Sequence, residues 1–242
     1  MKYIRKSSRP PELRNWERAN AQLPGAHYGS HGFPSADVKR ALVKEQGSIC
    51  AYTMTRIDNE SSHVEHLKPQ AVSRDEGRLD ETFNYHNMVA CYPNSPKPGD
   101  PIVPYGAIHR GSSWHANNFI TPLNSSCERR IRYRLDGHVL PRRSNDTKAD
   151  WTINMLNLDD ATLVEIRRDA IEAWGLSLTA AKPLSRAAAA RVIASVARRS
   201  QDMFPPYCVA IRDAADDYIR LLDTASARKK YSRAGKRRKL RQ

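Results

Sequence analysis

Cysteine is scarce in this chain: four in 242 residues, at positions 50, 91, 127 and 208. They lie far apart behind an N-terminus, MKYIRKSSRPPELRNWER, that carries charge but no apolar stretch. The sequence therefore reads as a cytoplasmic chain without a secretory signal. A reducing compartment would not maintain a disulfide framework, which leaves burial or metal ligation for the thiols. Long apolar runs are missing as well. None approaches the roughly 18–20 residues of a membrane span, so no membrane is expected. Aromatics make up 7% and hydrophobic residues 40%, a lean composition that still suffices for a core at this length. There is no internal repeat, and collagenous or wholly disordered classes are excluded. Acid is missing from one place in particular: residues 228–242 hold nine Lys/Arg and neither Asp nor Glu.

What is present in excess is positive charge. Forty Lys+Arg face 26 Asp+Glu, a formal charge of +14. Without the tail, residues 1–227 carry only +5, so most of the excess is terminal. Such a balance points to an anionic partner, nucleic acid ahead of lipid. Within the tail, Lys236, Arg237, Arg238 and Lys239 are the densest cations. A cationic arm of this kind cannot fold alone and adds salt-sensitive affinity for nucleic acid. A second set, Arg132 and Arg134, shares one face of a short alternating strand opposite Ile131, Tyr133 and Leu135. That face can follow a phosphate backbone or simply meet solvent.

Along the chain, residues 1–46 read as an arm broken by Pro10-Pro11, Pro24-Gly25 and the Gly29 to Gly32 stretch, then a helix over 36–46 capped by Ser35 and stopped at Gly47. Residues 47–145 are rich in Pro, Gly, Asn and Ser, with short strands, no helical period and a hairpin turning at Asp136-Gly137. From 146 to 227 the pattern is helical. Asp146 caps a helix through Leu156, Asp159 or Asp160 a second through about Trp174, Pro183 opens a third, and Pro205-Pro206 precedes a fourth ending near Leu222. Residues 228–242 read as a flexible basic tail.

Chemistry is to be sought in the irregular part, where loops present polar groups. The richest stretch runs from Cys50-Ala-Tyr-Thr53 through Ser62-His63-Val-Glu65-His66-Leu-Lys-Pro69 to Asn84-Tyr-His-Asn87-Met-Val-Ala-Cys91. A carboxylate beside a histidine, a proline three residues on, and an Asn about twenty residues later ahead of an apolar run and a Cys form a constrained order. On an ideal strand His63 and Glu65 share a face, and Glu65 and His66 share a pocket only if the strand ends there.

This order resembles the HNH nucleases of the ββα-metal type, and more narrowly the PtuB-like HNH proteins of Septu and retron anti-phage systems. Outside the core motif the resemblance is carried by Pro104-Tyr-Gly-Ala107, Phe119-Ile-Thr-Pro-Leu123, Cys127-Glu128, the run Thr152 to Leu158 with Leu163 and Arg167, and Pro205-Pro-Tyr-Cys208. It implies an α+β fold, with a ββα-metal core and a mainly helical C-terminal half, and an endonuclease acting on DNA. His66 would be the general base and Glu65 a ligand to Mg²⁺ or Mn²⁺. Asn87 would tie the loop carrying His66 to the second strand, and His63 would be a further ligand in a variant of the same site. Asn94 and His109 are the positional candidates for the last metal ligand. A PtuA-like ATPase is the implied partner. A binding module of the same fold without catalysis, and a free-standing nuclease, are the readings left beside it.

The pattern also departs from the family. The usual pair of Cys-x-x-Cys knuckles is reduced to Cys50-x-x-Thr53 and Cys91, with Val103 where a late cysteine is expected. Cys50 and Cys91 are the remaining candidates for a structural Zn²⁺, and two thiolates do not complete a tetrahedral site. A histidine joins them, or packing has replaced the metal; the absence of a four-cysteine site is the favoured expectation.

Overall fold

Proline at the first helical position starts structure at the N-terminus. In the computed structural model, which describes residues 1–94 and 103–239, with side chains as far as residue 224, Pro11 opens helix α1 (Pro11–Asn20) behind Pro10. Its locked φ suits that position, and the missing N–H is one that no helix could satisfy. Leu13 and Trp16, one turn apart, are buried. The Trp16 ring meets Phe33 at 5.0 Å and Phe83 at 5.3 Å, both edge-on. The arm expected to be irregular thus has its own helix, and Met1 and Ile4 are buried with it.

Helix α2 (Ser35–Glu45) buries Val38, Leu42 and Val43 as the spacing predicts. Gly47 ends the turn at φ +65, and a Cβ there would stand 2.6 Å from the Phe204 ring, so α2 and a distant loop meet over a glycine. Strands β1 (His63–His66) and β2 (Met88–Cys91) pair antiparallel, His63 opposite Cys91 and His66 opposite Met88. Between them lie helix α3 (Gln70–Asp75) and two 3-10 turns, and after them come helix α4 (Gly106–Arg110) and helix α5 (Cys127–Arg130). These helices, four to six residues long, are too short to imprint a 3.6-residue period on the sequence.

The expected hairpin is β3 (Ile131–Tyr133) with β4 (Val139–Pro141), Ile131 and Tyr133 buried. At its turn Gly137 has φ +89, and a Cβ would fall 2.3 Å from the Val164 carbonyl oxygen. Arg167, fully buried, donates to the carbonyls of Gly137 (2.7 Å) and Leu158 (2.8 Å), locking the turn onto the helix that carries it and Val164. Gly137→Ala should therefore cost about 3 kcal/mol through combined strain and overpacking. An unchanged denaturation midpoint would contradict that close approach.

The C-terminal half follows its caps: α6 (Thr147–Met155) from Asp146, α7 (Ala161–Ala173) from Asp160, and α8 (Arg186–Val196) from Ser185, each side chain accepting a backbone N–H. The third helix opens at Ser185, after Pro183, because the serine oxygen can satisfy the Ala188 amide. Helix α9 (Cys208–Lys239) runs past the expected end at Leu222 and through most of the predicted flexible tail. No proline stands beyond Pro206, and Ala, Lys and Arg favour helix. Lys236, Arg237, Arg238 and Lys239 lie on this helix with side chains outside the described part.

The result is a mixed α+β protein with two small antiparallel sheets among the described residues. One hydrophobic cluster joins Met1, α2, both sheets and the C-terminal helices as far as Tyr218. No described helix is long and apolar enough to cross a membrane.

Candidate active site

Strand alternation decides the first pairing. His63 and Glu65 share a face of β1, with Nε2 of His63 3.7 Å from Oε2 of Glu65. Nδ1–H of His63 donates to the Pro93 carbonyl, so Nε2 is the nitrogen turned to the carboxylate. Burial alone would lower the His63 pKa, but Glu65 and the Pro93 carbonyl outweigh it and raise the pKa above its ordinary value.

His66 is the last residue of β1 and faces the other way. It is 4% exposed. Nε2–H donates to the Thr82 carbonyl at 2.8 Å, which leaves Nδ1 as the free base, 3.4 Å from the Gln70 amide nitrogen. The Tyr28 ring covers it edge-on at 4.9 Å, and the Tyr28 N–H is held by Thr82 Oγ1. Burial lowers the His66 pKa, and Arg110 adds to that, while the Thr82 hydrogen bond and Glu65 act against it. A neutral imidazole results at pH 7.

Asn87 stands just ahead of β2. Its Oδ1 accepts from the Lys68 N–H (2.8 Å), and its Nδ2 donates to the carbonyls of Lys68 (3.0 Å) and Glu81 (3.1 Å). A side chain that donates and accepts at once thereby clamps the chain two residues beyond His66.

The positional candidates for a last ligand fare differently. His109 is exposed on α4, and its neighbour Arg110 turns inward. Adjacent helical residues differ by about 100° in direction, so both cannot face the strand. His109 thus stands at the surface while Arg110 faces β1. Asn94 is exposed. Arg110 is the residue that sequence reasoning missed. It is 2% exposed, its guanidinium lies 2.9 Å from Glu65 Oε1, and its N–H bonds are aimed at the carbonyls of His66 (2.6 Å) and Leu67 (2.8 Å). Oε1 of Glu65 therefore receives charge but no aligned hydrogen bond, and is a buried oxygen without a donor. The family-like segments far along the chain hold α4 in place: Gly106 N–H donates to the Leu156 carbonyl (2.7 Å) and Asn157 to that of Pro104 (2.7 Å).

All four cysteines are free and buried. Cys50 and Cys91 are hydrogen-bonded to each other, and Cys50 also accepts from the Thr53 and Tyr92 amides. Burial pushes both thiols up; those donors reverse the direction at Cys50 alone, while Cys91 stays raised. Arg132 on β3 and Arg134 just after it lie away from the core, opposite Ile131 and Tyr133. Arg132 pairs with Asp217 at 2.6 Å and Arg134 with Asp136 at 2.8 Å.

Among the described residues no group of three or more His, Cys, Asp or Glu converges as a metal cage. The pair on β1 nevertheless suits a hard divalent ion. Glu65 turns Oε2 toward His63 Nε2 at 3.7 Å, while Oε1 is paired with Arg110. Mg²⁺ and Mn²⁺ commonly take one or two protein ligands and complete their shell with water and phosphate oxygens. No model of a known protein family matches this chain, and no curated protein matches it.

Proposed function

We propose that this protein is a metal-dependent endonuclease of the HNH type that hydrolyses DNA phosphodiester bonds. The observation that carries this reading is what gathers where β1 ends: a His63–Glu65 pair, a buried neutral His66 whose tautomer is set by the Thr82 carbonyl, and Arg110 joining Glu65 to the His66 carbonyl. His66 Nδ1 takes a proton from the attacking water once the Gln70 amide gives way. Asn87 keeps the imidazole aimed by clamping the Lys68 backbone. Glu65 and His63 would hold Mg²⁺ or Mn²⁺, whose chemistry there would be to supply positive charge at the leaving 3′-oxygen. Arg110 fixes the end of β1 and sets a positive charge beside the Glu65 carboxylate. By resemblance, the protein acts as the effector of an anti-phage system under a PtuA-like ATPase.

One observation favours a second reading, a binding module of this fold without catalysis. Tyr28 and Gln70 cover the base, and an arginine stands where a third ligand would be useful. Plasmid cleavage with Mg²⁺, Mn²⁺ or EDTA, with and without a candidate ATPase, separates the two. EDTA should stop cleavage without lowering the melting temperature, because an apolar core holds the fold.

The pH profile gives a sharper check. His63 must be neutral to accept a cation, and its pKa is raised; His66 must be neutral to act as base, and its pKa is lowered. Activity should therefore fall as pH drops through the His63 value, above the ordinary histidine pKa of about 6.5. More Mn²⁺ should move that acid limb to lower pH, since metal and proton compete for Nε2. An acid limb below pH ~6.5 that ignores metal concentration would remove His63 from the ligand set.

A further inference from the structure

The hairpin arginines that remain available lie at its edges. A cleft of about 440 Å³ between α5, the end of the β3–β4 hairpin and the start of α6 is lined by Ser126, Arg129, Arg130, Arg142, Arg143 and Asp146. Four guanidinium groups face one carboxylate there. Arg130 is spoken for by Asp146, with Nε donating at 2.7 Å, and Arg142 by Asp213 at 2.9 Å. Arg129 and Arg143 are exposed, and their guanidinium groups form no ion pair or hydrogen bond among the described residues. Arg129, Arg142 and Arg143 also line a second, more open cleft of about 640 Å³, where Glu128 and Asp213 are engaged by Arg212 and Asp216 remains.

We infer that this paired cleft binds the phosphate backbone of a nucleic acid strand, with Arg129 and Arg143 as its principal contacts. It deepens the nuclease reading by saying where the polyanion lies, and rests on that reading for the choice of DNA. Planar guanidinium forks match phosphate oxygens two at a time. Arg130 and Arg142, already held by carboxylates, present an ordered positive rim at little further entropic cost. Two adjoining open clefts that share three arginines suit a strand with repeated phosphates better than one enclosed anion. Net positive charge over the whole chain brings such a polymer in.

The test is fluorescence anisotropy with labelled single-stranded and duplex DNA in EDTA. It compares wild type, Arg129→Gln/Arg143→Gln, and Arg14→Gln/Arg18→Gln on exposed positions of α1 as a control. If each arginine neutralises one phosphate, the slope of log affinity against log salt falls by roughly two units in the first variant, and affinity at about 0.1 M salt falls about fiftyfold. The control keeps the wild-type slope. Equal slopes in all three proteins would overturn the inference. So would a wild type that binds polyglutamate and no nucleic acid, since the cleft would then be a docking site for acidic protein. Binding and cleavage fail separately here. A wild type that never cuts, but whose affinity depends on Arg129 and Arg143, loses the nuclease reading and keeps the cleft. One that cuts with an unaltered slope in the variant does the reverse.

Discussion

Replacing His66 with glutamine should reduce cleavage by about 10²–10⁴-fold, the range that removal of a general base produces. Glutamine is the informative substitution because of where the ring sits. His66 is buried, its Nε2–H satisfies the Thr82 carbonyl, and Tyr28 packs on it. Alanine would leave that carbonyl without a donor, at about 1–3 kcal/mol, and open a void beneath Tyr28. Lost activity would then be confused with lost structure. A glutamine amide can still donate to Thr82 but takes no proton from water at neutral pH. The variant should keep the wild-type melting temperature and its affinity for DNA. Turnover at the wild-type rate would end the assignment of His66 as base.

The largest effect on stability is expected at Arg110. Its guanidinium is buried, ion-paired to Glu65 and hydrogen-bonded to two carbonyls at the end of β1. It also lies over the Tyr52 and Phe119 rings, 6.0 and 5.5 Å from their centres. Arg110→Met keeps much of that packing but leaves a buried carboxylate without its counter-charge, a loss of about 3–5 kcal/mol. In a chain of this size that lowers the melting temperature by roughly 10 °C. Adding Glu65→Gln should recover part of the loss, because the second change removes the stranded charge. A double variant no more stable than Arg110→Met would show that the pairing with Glu65 contributes nothing. Both proteins should be inactive, for different reasons: the first has lost the geometry of β1, the second also a ligand.

How much of this was legible beforehand differs between elements. Two of the long helices announce themselves through caps, since Asp146 and Asp160 act within three residues of their own position, whereas the Ser185 cap lies two residues past the proline expected to open the third. Helix α1 escaped because Pro10-Pro11 breaks a helix in the interior but starts one at its first turn, and only the burial of Leu13 and Trp16 against Phe33 and Phe83 tells the two apart. Within the site, the His63–Glu65 pairing and the Asn87 clamp follow from strand alternation and the chemistry of an amide. Arg110 left no such signal, since whether residue 109 or 110 of a five-residue helix points inward is settled by contacts with β1 and Phe119.

By itself the sequence determined the local grammar: that the C-terminal half is helical, where the hairpin turns, that His63 and Glu65 share a face of β1, and that the chain is strongly cationic. Those properties act over a few residues or simply add along the chain. The tertiary structure alone decided which charges are free. It committed Arg132 to Asp217 and Arg110 to Glu65, partners 85 and 45 positions away in the chain, and left Arg129 and Arg143 facing an open cleft. It also placed Tyr28, from the N-terminal segment, over the His66 imidazole that a later strand provides. Burial and ion pairing are properties of neighbours in space, and no local pattern fixes which neighbours those are.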